Sequence, residues 1–103
     1  RTGLRIIRYF IRGGVAGNKT PTLREFESVW MSELGKQQYK AELKDLKEKC
    51  WIGIGRFRSE VHIGLLNRDY AVKYYAHCSS IGIVPPIQHH AQAHTNGGLY
   101  RVK

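Results

Sequence analysis

Apolar side chains recur at steps of three and four residues along most of this chain, and this spacing constrains its fold more than any other feature. A step of three or four places side chains on one face of an α-helix, whereas a β-strand repeats every second residue. Four such sets occur, and they are Leu4, Ile7 and Ile11; Leu23, Phe26, Trp30 and Leu34; Tyr39, Leu43, Leu46 and Cys50; and Tyr70, Tyr74, His77 and Ile81. The sequence therefore predicts a mainly α protein, a small helical unit with an amphipathic N-terminal helix.

Helix starts are marked by capping residues. Thr22 and Glu25 have the S/T-x-x-E spacing of a capping box, in which each side chain accepts a hydrogen bond from the other residue's backbone N–H. Thr20 followed by Pro21 is an alternative start two residues earlier, because proline is favoured at the first helical position. Asn67 supplies an N-cap for a short third helix.

Breaks in the pattern divide the chain. The apolar spacing jumps by five across Gly35, which indicates either two helices, 22–34 and 36–50, or one long helix bent near this glycine. Residues 51–58 are rich in β-formers and glycine, which fits a short strand or a turn. Two successive prolines later end the regular pattern. The predicted organisation is a basic amphipathic helix with a glycine-rich connection (1–18), a helical body (19–84) and an extended, histidine-containing C-terminal tail (85–103).

Size and composition exclude several classes of protein. A chain of 103 residues has room for one domain. Its two cysteines, Cys50 and Cys78, allow one disulfide at most, which favours a reducing compartment over a disulfide-stapled secreted scaffold. Lysine or arginine interrupts every apolar run before it reaches the roughly 18 to 20 residues of a membrane-spanning helix. The sequence therefore predicts no transmembrane span.

Positive charge lies toward both ends of the chain. Lysine and arginine number 17 against 8 acids, which gives a formal charge of +9. The first 24 residues contain six cations and no acid, whereas residues 25–50 mix six acids with five lysines. An anionic partner, either RNA or a membrane surface, is therefore expected to contact the ends rather than the middle.

The N-terminal helix carries its arginines on one side. At about 100° per residue, Arg1, Arg5, Arg8 and Arg12 fall within an arc of roughly 60° that is separate from the apolar residues. Such a helix can lie on an anionic membrane, press its arginines against phosphates, or act as a mitochondrial import signal. It can also pack its apolar face on the core and leave the arginines in water.

A second cationic cluster follows the central helices. Arg56 and Arg58 flank Phe57, and cations beside an aromatic ring can contact phosphates while the ring stacks on an unpaired base. An edge strand with arginine on its outward side would show the same pattern. The candidate contacts for nucleic acid or lipid are the cations of both regions together with Arg24, namely Arg1, Arg5, Arg8, Arg12, Arg24, Arg56 and Arg58.

One segment nearly matches a nucleotide-binding motif. Residues 13–20 follow the phosphate-binding loop G-x-x-x-x-G-K-[ST], except that Asn18 stands where the second glycine is needed. Pro21 comes too early in the helix that should point its N-terminus at the phosphate. The motif leaves a remote alternative, a small nucleotide-binding protein that uses Gly13 to Thr20.

Catalytic and metal-binding patterns are weaker still. His77 and Cys78 are adjacent, so on a helix they project about 100° apart, a poor geometry for a nucleophile and its base. The tail contains His89, His90 and His94. His90 and His94 would share a helix face and resemble a zinc ligand set with Cys78 only if a helix forms there, and glycines and prolines oppose that helix. The sequence predicts no catalytic residue, no cofactor and no metal.

These features together indicate a partner larger than the chain. The expected function is a non-catalytic structural subunit of a large organellar assembly, best a mitochondrial ribosomal protein that contacts rRNA through its basic termini. The alternative is an accessory subunit of a respiratory complex of the mitochondrial inner membrane, with the first helix on anionic lipid. Both place the protein in the mitochondrial matrix or on the matrix face of the inner membrane.

Overall fold

The computed structural model describes residues 2–13, 17 and 19–87. This part of the chain forms four α-helices and two β-strands, with the bounds α1 Thr2–Arg12, α2 Leu23–Leu34, α3 Lys36–Glu48, β1 Ile52–Phe57, β2 Glu60–Leu65 and α4 Arg68–Ile81. The predicted mainly α class is confirmed. Arg1 and most of the predicted tail, including His89, His90 and His94, lie outside the described residues.

Helix α1 buries its apolar face in the protein. Leu4, Ile6, Ile7 and Phe10 are all buried, and the helix packs chiefly against α4. The chain turns away at Gly13, whose backbone N–H donates to the Phe10 carbonyl at 3.1 Å. Gly13 has a φ of 92°, a conformation that favours glycine at the end of a helix. The predicted amphipathic helix is thus confirmed, with its apolar side chains in the core.

Helices α2 and α3 are separate and meet at Gly35. This glycine has φ 87° and ψ 155°, a region nearly confined to glycine. Its N–H donates to the Met31 carbonyl at 2.8 Å, and its carbonyl accepts from the Tyr39 N–H at 2.9 Å. One residue therefore ends α2 and begins α3, and of the two alternatives for the central segment the two-helix one is correct.

The start of α2 is the predicted capping box. The Thr22 hydroxyl accepts from the Glu25 backbone N–H, and the Glu25 carboxylate accepts from the Thr22 N–H, both at 3.1 Å. Helix α2 accordingly begins after Thr22 rather than at Pro21. The N-cap of α4 is Asn67, as predicted, since its side chain accepts from the Tyr70 N–H at 3.0 Å.

Helix α3 ends in a Schellman motif that has a cysteine at its left-handed position. The Trp51 N–H donates to the Leu46 carbonyl and the Cys50 N–H donates to the Lys47 carbonyl, both at 3.0 Å. Cys50 has φ 67°, where glycine is the usual residue. Leu46 and Trp51 are both buried in the core, as the apolar pair of this motif usually is.

Strands β1 and β2 form an antiparallel hairpin. Its register runs from Ile52 opposite Leu65 to Phe57 opposite Glu60. The two turn residues, 58 and 59, have φ values of 58° and 77°, the pair of positive values that a tight two-residue turn requires. Of the strand or turn predicted for residues 51–58, the strand is therefore realised by residues 52–57.

Strand β2 is an element that the helical spacing does not predict. Val61, Ile63 and Leu65 alternate with polar or small residues, which is the period of a strand. The chain before α2 runs beside this strand, because the Ile63 N–H donates to the Pro21 carbonyl at 3.0 Å. The hairpin is thereby tied to the start of α2.

Helix α4 is joined to α1 by the side chain of Arg68. Its Nη1 donates to the Phe10 carbonyl at 2.9 Å and its Nη2 donates to the Ile11 carbonyl at 2.6 Å. These carbonyls belong to the last turn of α1, where the regular backbone partners of a helix interior run out, although the Phe10 carbonyl also accepts from the Gly13 N–H. A cation at this end also interacts favourably with the helix dipole.

Aromatic side chains fill the core between α1 and α2. Phe10 and Phe26 are stacked with ring centroids 5.2 Å apart. The rings of Tyr9 and Phe26 form a T-shaped pair with centroids 5.8 Å apart. Trp30 continues this cluster, at 5.7 Å from Tyr9. This packing fixes how α1 lies against α2, and so it positions the outward side chains of both helices.

Candidate nucleic-acid interface

Three of the predicted contact residues lie in one row on α1. Arg5, Arg8 and Arg12 are exposed, whereas the apolar face of the same helix is buried. Their spacing of three and four residues places them along one side of the helix. Because the core holds the apolar face, the arginines are held toward solvent. The fourth member of the predicted row, Arg1, lies outside the described residues.

A groove runs along the boundary of α1 and α2. Its lining is Arg5, Arg8, Tyr9, Arg12 and Trp30, and its volume is about 270 Å³. We call it the α1–α2 groove. It combines three guanidinium groups with two aromatic rings, which is a composition that favours an anionic ligand.

The three arginines of the groove differ in their partners. The Arg5 guanidinium lies 2.9 Å from the Glu33 carboxylate, with both side chains 51% exposed. It also lies over the ring of Trp30, at 5.4 Å from the centroid. Arg8 and Arg12 form no ion pair or hydrogen bond with the residues that the structure describes. Among the described residues, two of the three cations therefore have no acidic partner.

Both aromatic residues of the groove lining carry a hydrogen-bond donor. The indole Nε1 of Trp30 is buried and has no hydrogen-bond partner among the described residues. Burial raises the pKa of the Tyr9 hydroxyl, and the nearby charge of Glu25 raises it further. The phenol therefore stays protonated at neutral pH and remains able to donate.

The other predicted contact residues lie elsewhere. Arg24 is exposed beside a depression of about 390 Å³ that also contains Glu27 and Glu60, so its surroundings are partly acidic. Arg56 is exposed on β1, and Arg58 occupies the hairpin turn with its guanidinium 5.1 Å from the ring centroid of Phe57. None of these three arginines lines the α1–α2 groove.

The hairpin tip is a second basic and aromatic feature. Phe57 is 44% exposed, a high value for a phenylalanine in a small protein. The guanidinium of Arg58 covers one side of its ring, and Arg56 precedes it on the strand. The tip therefore combines an exposed ring with two exposed cations, one of which lies over the ring.

Several residues of the groove were not among the sequence candidates. Tyr9 lies between Arg8 and Arg12 on α1, and Trp30 and Glu33 are one turn apart on α2. Their own spacing predicts only a helix. Their role depends on a contact between residues 28 positions apart, the pair of Arg5 and Glu33. That contact forms only when α1 and α2 pack.

A basic surface on α3 was also unassigned. Lys40, Lys44 and Lys47 line a shallow depression of about 300 Å³ together with Leu43 and Glu48. Lys44 approaches Glu48 at 3.7 Å, so part of the positive charge is compensated. Acids and lysines alternate along α3, which is typical of an ordinary solvated helix face.

The glycine-rich segment has a setting unlike that of a phosphate-binding loop. The element before it is a helix, α1, and the helix after it begins at Leu23. A phosphate-binding loop connects a strand to a helix that starts at its lysine and serine or threonine. Gly14, Val15, Ala16 and Asn18 lie outside the described residues. The flanking elements thus argue against the nucleotide-binding alternative.

The histidine and cysteine candidates on α4 serve other contacts. The ring of His77 packs on that of Tyr74 with centroids 4.9 Å apart. Cys78 is fully buried, and burial raises the pKa of its thiol, which disfavours the reactive thiolate. In the described part of the chain, no three histidine, cysteine or acidic side chains come together as a metal site would require.

Among the described residues, no helix has the length and apolar character that crossing a membrane demands. Comparison with models of protein families, with curated proteins and with solved structures gave no match.

Proposed function

We propose that the protein is a non-catalytic structural subunit of a large organellar assembly, in the first place a mitochondrial ribosomal protein, and that it contacts rRNA through exposed arginines. The observation that carries this proposal is the division of α1 into a buried apolar face and an exposed row of Arg5, Arg8 and Arg12. Guanidinium groups in a row are suited to successive phosphates of a nucleic-acid backbone.

The burial of α1 favours RNA over lipid as the anionic partner. A helix that binds a membrane surface inserts its apolar face among the acyl chains. In this protein Ile7 is 1% exposed and Phe10 is 0% exposed, so that face is already occupied by the core. The folded protein therefore offers α1 to a partner chiefly through its exposed arginines, and charge is the main requirement for phosphate contacts.

The hairpin tip supports the same partner. An exposed aromatic ring flanked by cations can stack on an unpaired base, and such bases are the usual target of sequence-tolerant RNA contacts. Phe57 with Arg56 and Arg58 has this composition. The accessory subunit of a respiratory complex remains the alternative, with Arg8 and Arg12 on anionic headgroups or on an acidic neighbour.

The proposal is tested by the salt dependence of RNA binding. The full chain is titrated into a labelled single-stranded oligouridine at several salt concentrations, with Arg8→Ala and Arg12→Ala as variants. Each arginine that contacts a phosphate contributes about 0.7 to the slope of log K against log salt. Each variant is therefore expected to bind more weakly and to reduce the slope by about 0.7.

A matched control separates site contacts from net charge. Lys36→Ala removes one exposed cation from the start of α3, outside the groove and the hairpin tip. It is expected to change the slope little. Equal effects of Lys36→Ala and Arg8→Ala would contradict a role for the α1 row, since the protein would then bind RNA through its overall charge only.

The assembly itself is tested by sedimentation. A mitochondrial extract in mild detergent is run on a sucrose gradient with and without RNase, and the protein is followed by antibody. Release from a ribosome-sized peak by RNase is expected. A peak that RNase leaves in place and that migrates with respiratory activity would replace the ribosomal proposal by the respiratory one.

Substitutions in the apolar face of α1 are not useful for this choice. Ile7→Asp or Phe10→Asp would place a charge in the core, where an unpaired charge is strongly destabilising. Loss of binding would then report unfolding. The arginine variants avoid this problem because their side chains are exposed.

A further inference from the structure

The α1–α2 groove offers donors and hardly any acceptor. Guanidinium groups donate hydrogen bonds and accept none, and three of them line the groove, namely Arg5, Arg8 and Arg12. The indole of Trp30 is likewise a donor only. Among the described lining residues, the Tyr9 hydroxyl is the one side-chain group that can also accept. A ligand that fits this lining must bring acceptors and negative charge.

An unsatisfied donor points to the same conclusion. Trp30 is 5% exposed and its Nε1 has no hydrogen-bond partner among the described residues. A buried donor without a partner costs about 1–3 kcal/mol, so such groups are rare and commonly mark a site that a ligand or a water completes. In contrast, the second indole, that of Trp51, donates to the Pro85 carbonyl at 2.7 Å.

One acid competes for the cations of the groove. Glu33 lies 2.9 Å from Arg5 and holds its guanidinium over the ring of Trp30. Both partners are half-exposed, so the pair is worth only about 0.2–1 kcal/mol. An anion with more than one charged oxygen can therefore displace the carboxylate at little cost.

We propose that the α1–α2 groove binds a phosphate of an RNA backbone, and that this phosphate replaces Glu33 as the partner of Arg5. The inference rests on the proposed function, which it deepens by naming the site and its built-in competitor. From Arg5 to Arg12 there are seven residue steps of helix, which is about 10 Å at a rise of 1.5 Å per step. That length suits neighbouring phosphates of one strand better than a single small anion.

Removing the competitor is the direct test. Glu33→Gln keeps the size of the side chain and removes its charge, so Arg5 is freed for the ligand. Loss of an exposed ion pair of this strength converts to a gain in affinity of up to about fivefold. We expect Glu33→Gln to bind labelled oligouridine about twofold to fivefold more tightly than the unmodified chain.

The control is a second loss of one negative charge. Glu42→Gln changes the net charge equally on α3, where Glu42 has no ion pair among the described residues. The gain from Glu33→Gln must exceed that from Glu42→Gln. The gain from Glu33→Gln must also disappear in a chain that carries Arg5→Ala, because removing the Glu33 carboxylate then frees no guanidinium.

The two indoles give a readout that does not depend on affinity. In a nitrogen–proton NMR spectrum of the full chain, each tryptophan side chain contributes one Nε1–H signal. Addition of oligouridine is expected to shift the signal of Trp30 and to leave that of Trp51 in place. The Trp30→Phe variant lacks the Nε1–H signal of Trp30, and this assigns both signals to their residues.

Each outcome decides a different point. If Arg8→Ala weakens RNA binding while Glu33→Gln behaves like Glu42→Gln and the Trp30 signal does not move, the groove is not the phosphate site, and the proposed RNA contact survives. If the chain does not bind RNA at all, both proposals fail. If Glu33→Gln tightens binding to vesicles of anionic phospholipid but not to RNA, the groove recognises the phosphate of a lipid headgroup. That result would overturn the proposal that the phosphate belongs to RNA.

Discussion

Replacing Arg68 by alanine is expected to lower the stability of this protein more than the loss of any other single cation described above. Arg68 is at the start of α4, and its guanidinium donates two hydrogen bonds to carbonyls at the end of α1, at 2.9 and 2.6 Å. Both bonds are partly buried, so water replaces them poorly. The side chain thus joins the two helices that hold the N-terminal arginine row in place.

The magnitude follows from the two bonds. A hydrogen bond to a charged group contributes about 1.5–3 kcal/mol, and two bonds made by one side chain are not additive. Once the guanidinium is gone, water can hydrogen-bond to the α1 carbonyls, and this hydration restores part of the lost free energy. A net loss of about 2–3 kcal/mol is therefore expected. A protein of this size loses about 4–8 °C in Tm for each kcal/mol, so Tm should fall by about 10–20 °C.

Thermal and urea unfolding of the full chain, followed by helical circular dichroism, measure this loss. Arg24→Ala removes an exposed arginine and is expected to change stability by less than about 0.5 kcal/mol. Arg68→Lys keeps the charge but cannot reach both carbonyls. Its loss of stability should therefore lie between those of Arg24→Ala and Arg68→Ala. If Arg68→Ala were as stable as Arg24→Ala, the guanidinium would make no net contribution and the reasoning would be refuted.

Three further predictions concern the backbone and the titrating groups. Cys50→Gly should stabilise the protein by about 0.5–1 kcal/mol, because the left-handed φ of 67° strains a side chain and suits glycine. Gly35→Ala should destabilise it by about 1–3 kcal/mol through backbone strain alone, because a Cβ there would meet no atom within 4 Å. Stability should fall as pH rises above about 9, because burial raises the pKa of Cys78 and of Tyr39 above their ordinary values. The unfolded chain then loses these protons first, so the urea midpoint should be lower at pH 10.5 than at pH 8 (about 0.5 units above and 2 units below the ordinary tyrosine pKa).

Other results would contradict each argument. A less stable Cys50→Gly variant would mean that the cysteine side chain contributes more than the strain costs. An unchanged Gly35→Ala variant would mean that α2 and α3 can join as one bent helix without this conformation. Equal urea midpoints at neutral and alkaline pH would mean that the buried phenol and thiol titrate as they do in the unfolded chain.

The helices were predictable because their causes are local. The capping box of Thr22 and Glu25, the cap at Asn67 and the step across Gly35 each depend on residues within one or two turns of helix. The choice between a bent helix and two helices needed the backbone angles of Gly35, which the spacing of apolar residues does not contain.

The hairpin was only half predictable. Val61, Ile63 and Leu65 have the alternation of a strand, but the turn that precedes them is made by Arg58 and Ser59. Tight hairpin turns usually contain asparagine or glycine at these positions, which tolerate positive φ. Without those residues the sequence gives no sign that the chain reverses after residue 57.

The candidate site was predictable as a row of charges and not as a groove. The arc of Arg5, Arg8 and Arg12 follows from helical geometry alone. Trp30 and Glu33 join it because the packing of α1 against α2 brings both of them to Arg5, and Glu33 is 28 residues away from Arg5 in sequence. Pairings of this range are fixed by the whole core rather than by any short segment.

The contact of α1 with α4 also sets an order of events during synthesis. The bonds from Arg68 span 57 and 58 residues, so α1 leaves the ribosome long before the helix that covers it. Until α4 emerges, the apolar face of α1 has no complete partner, and closing so long a loop makes this contact late in folding. The nascent chain therefore carries an exposed amphipathic helix that the finished protein conceals.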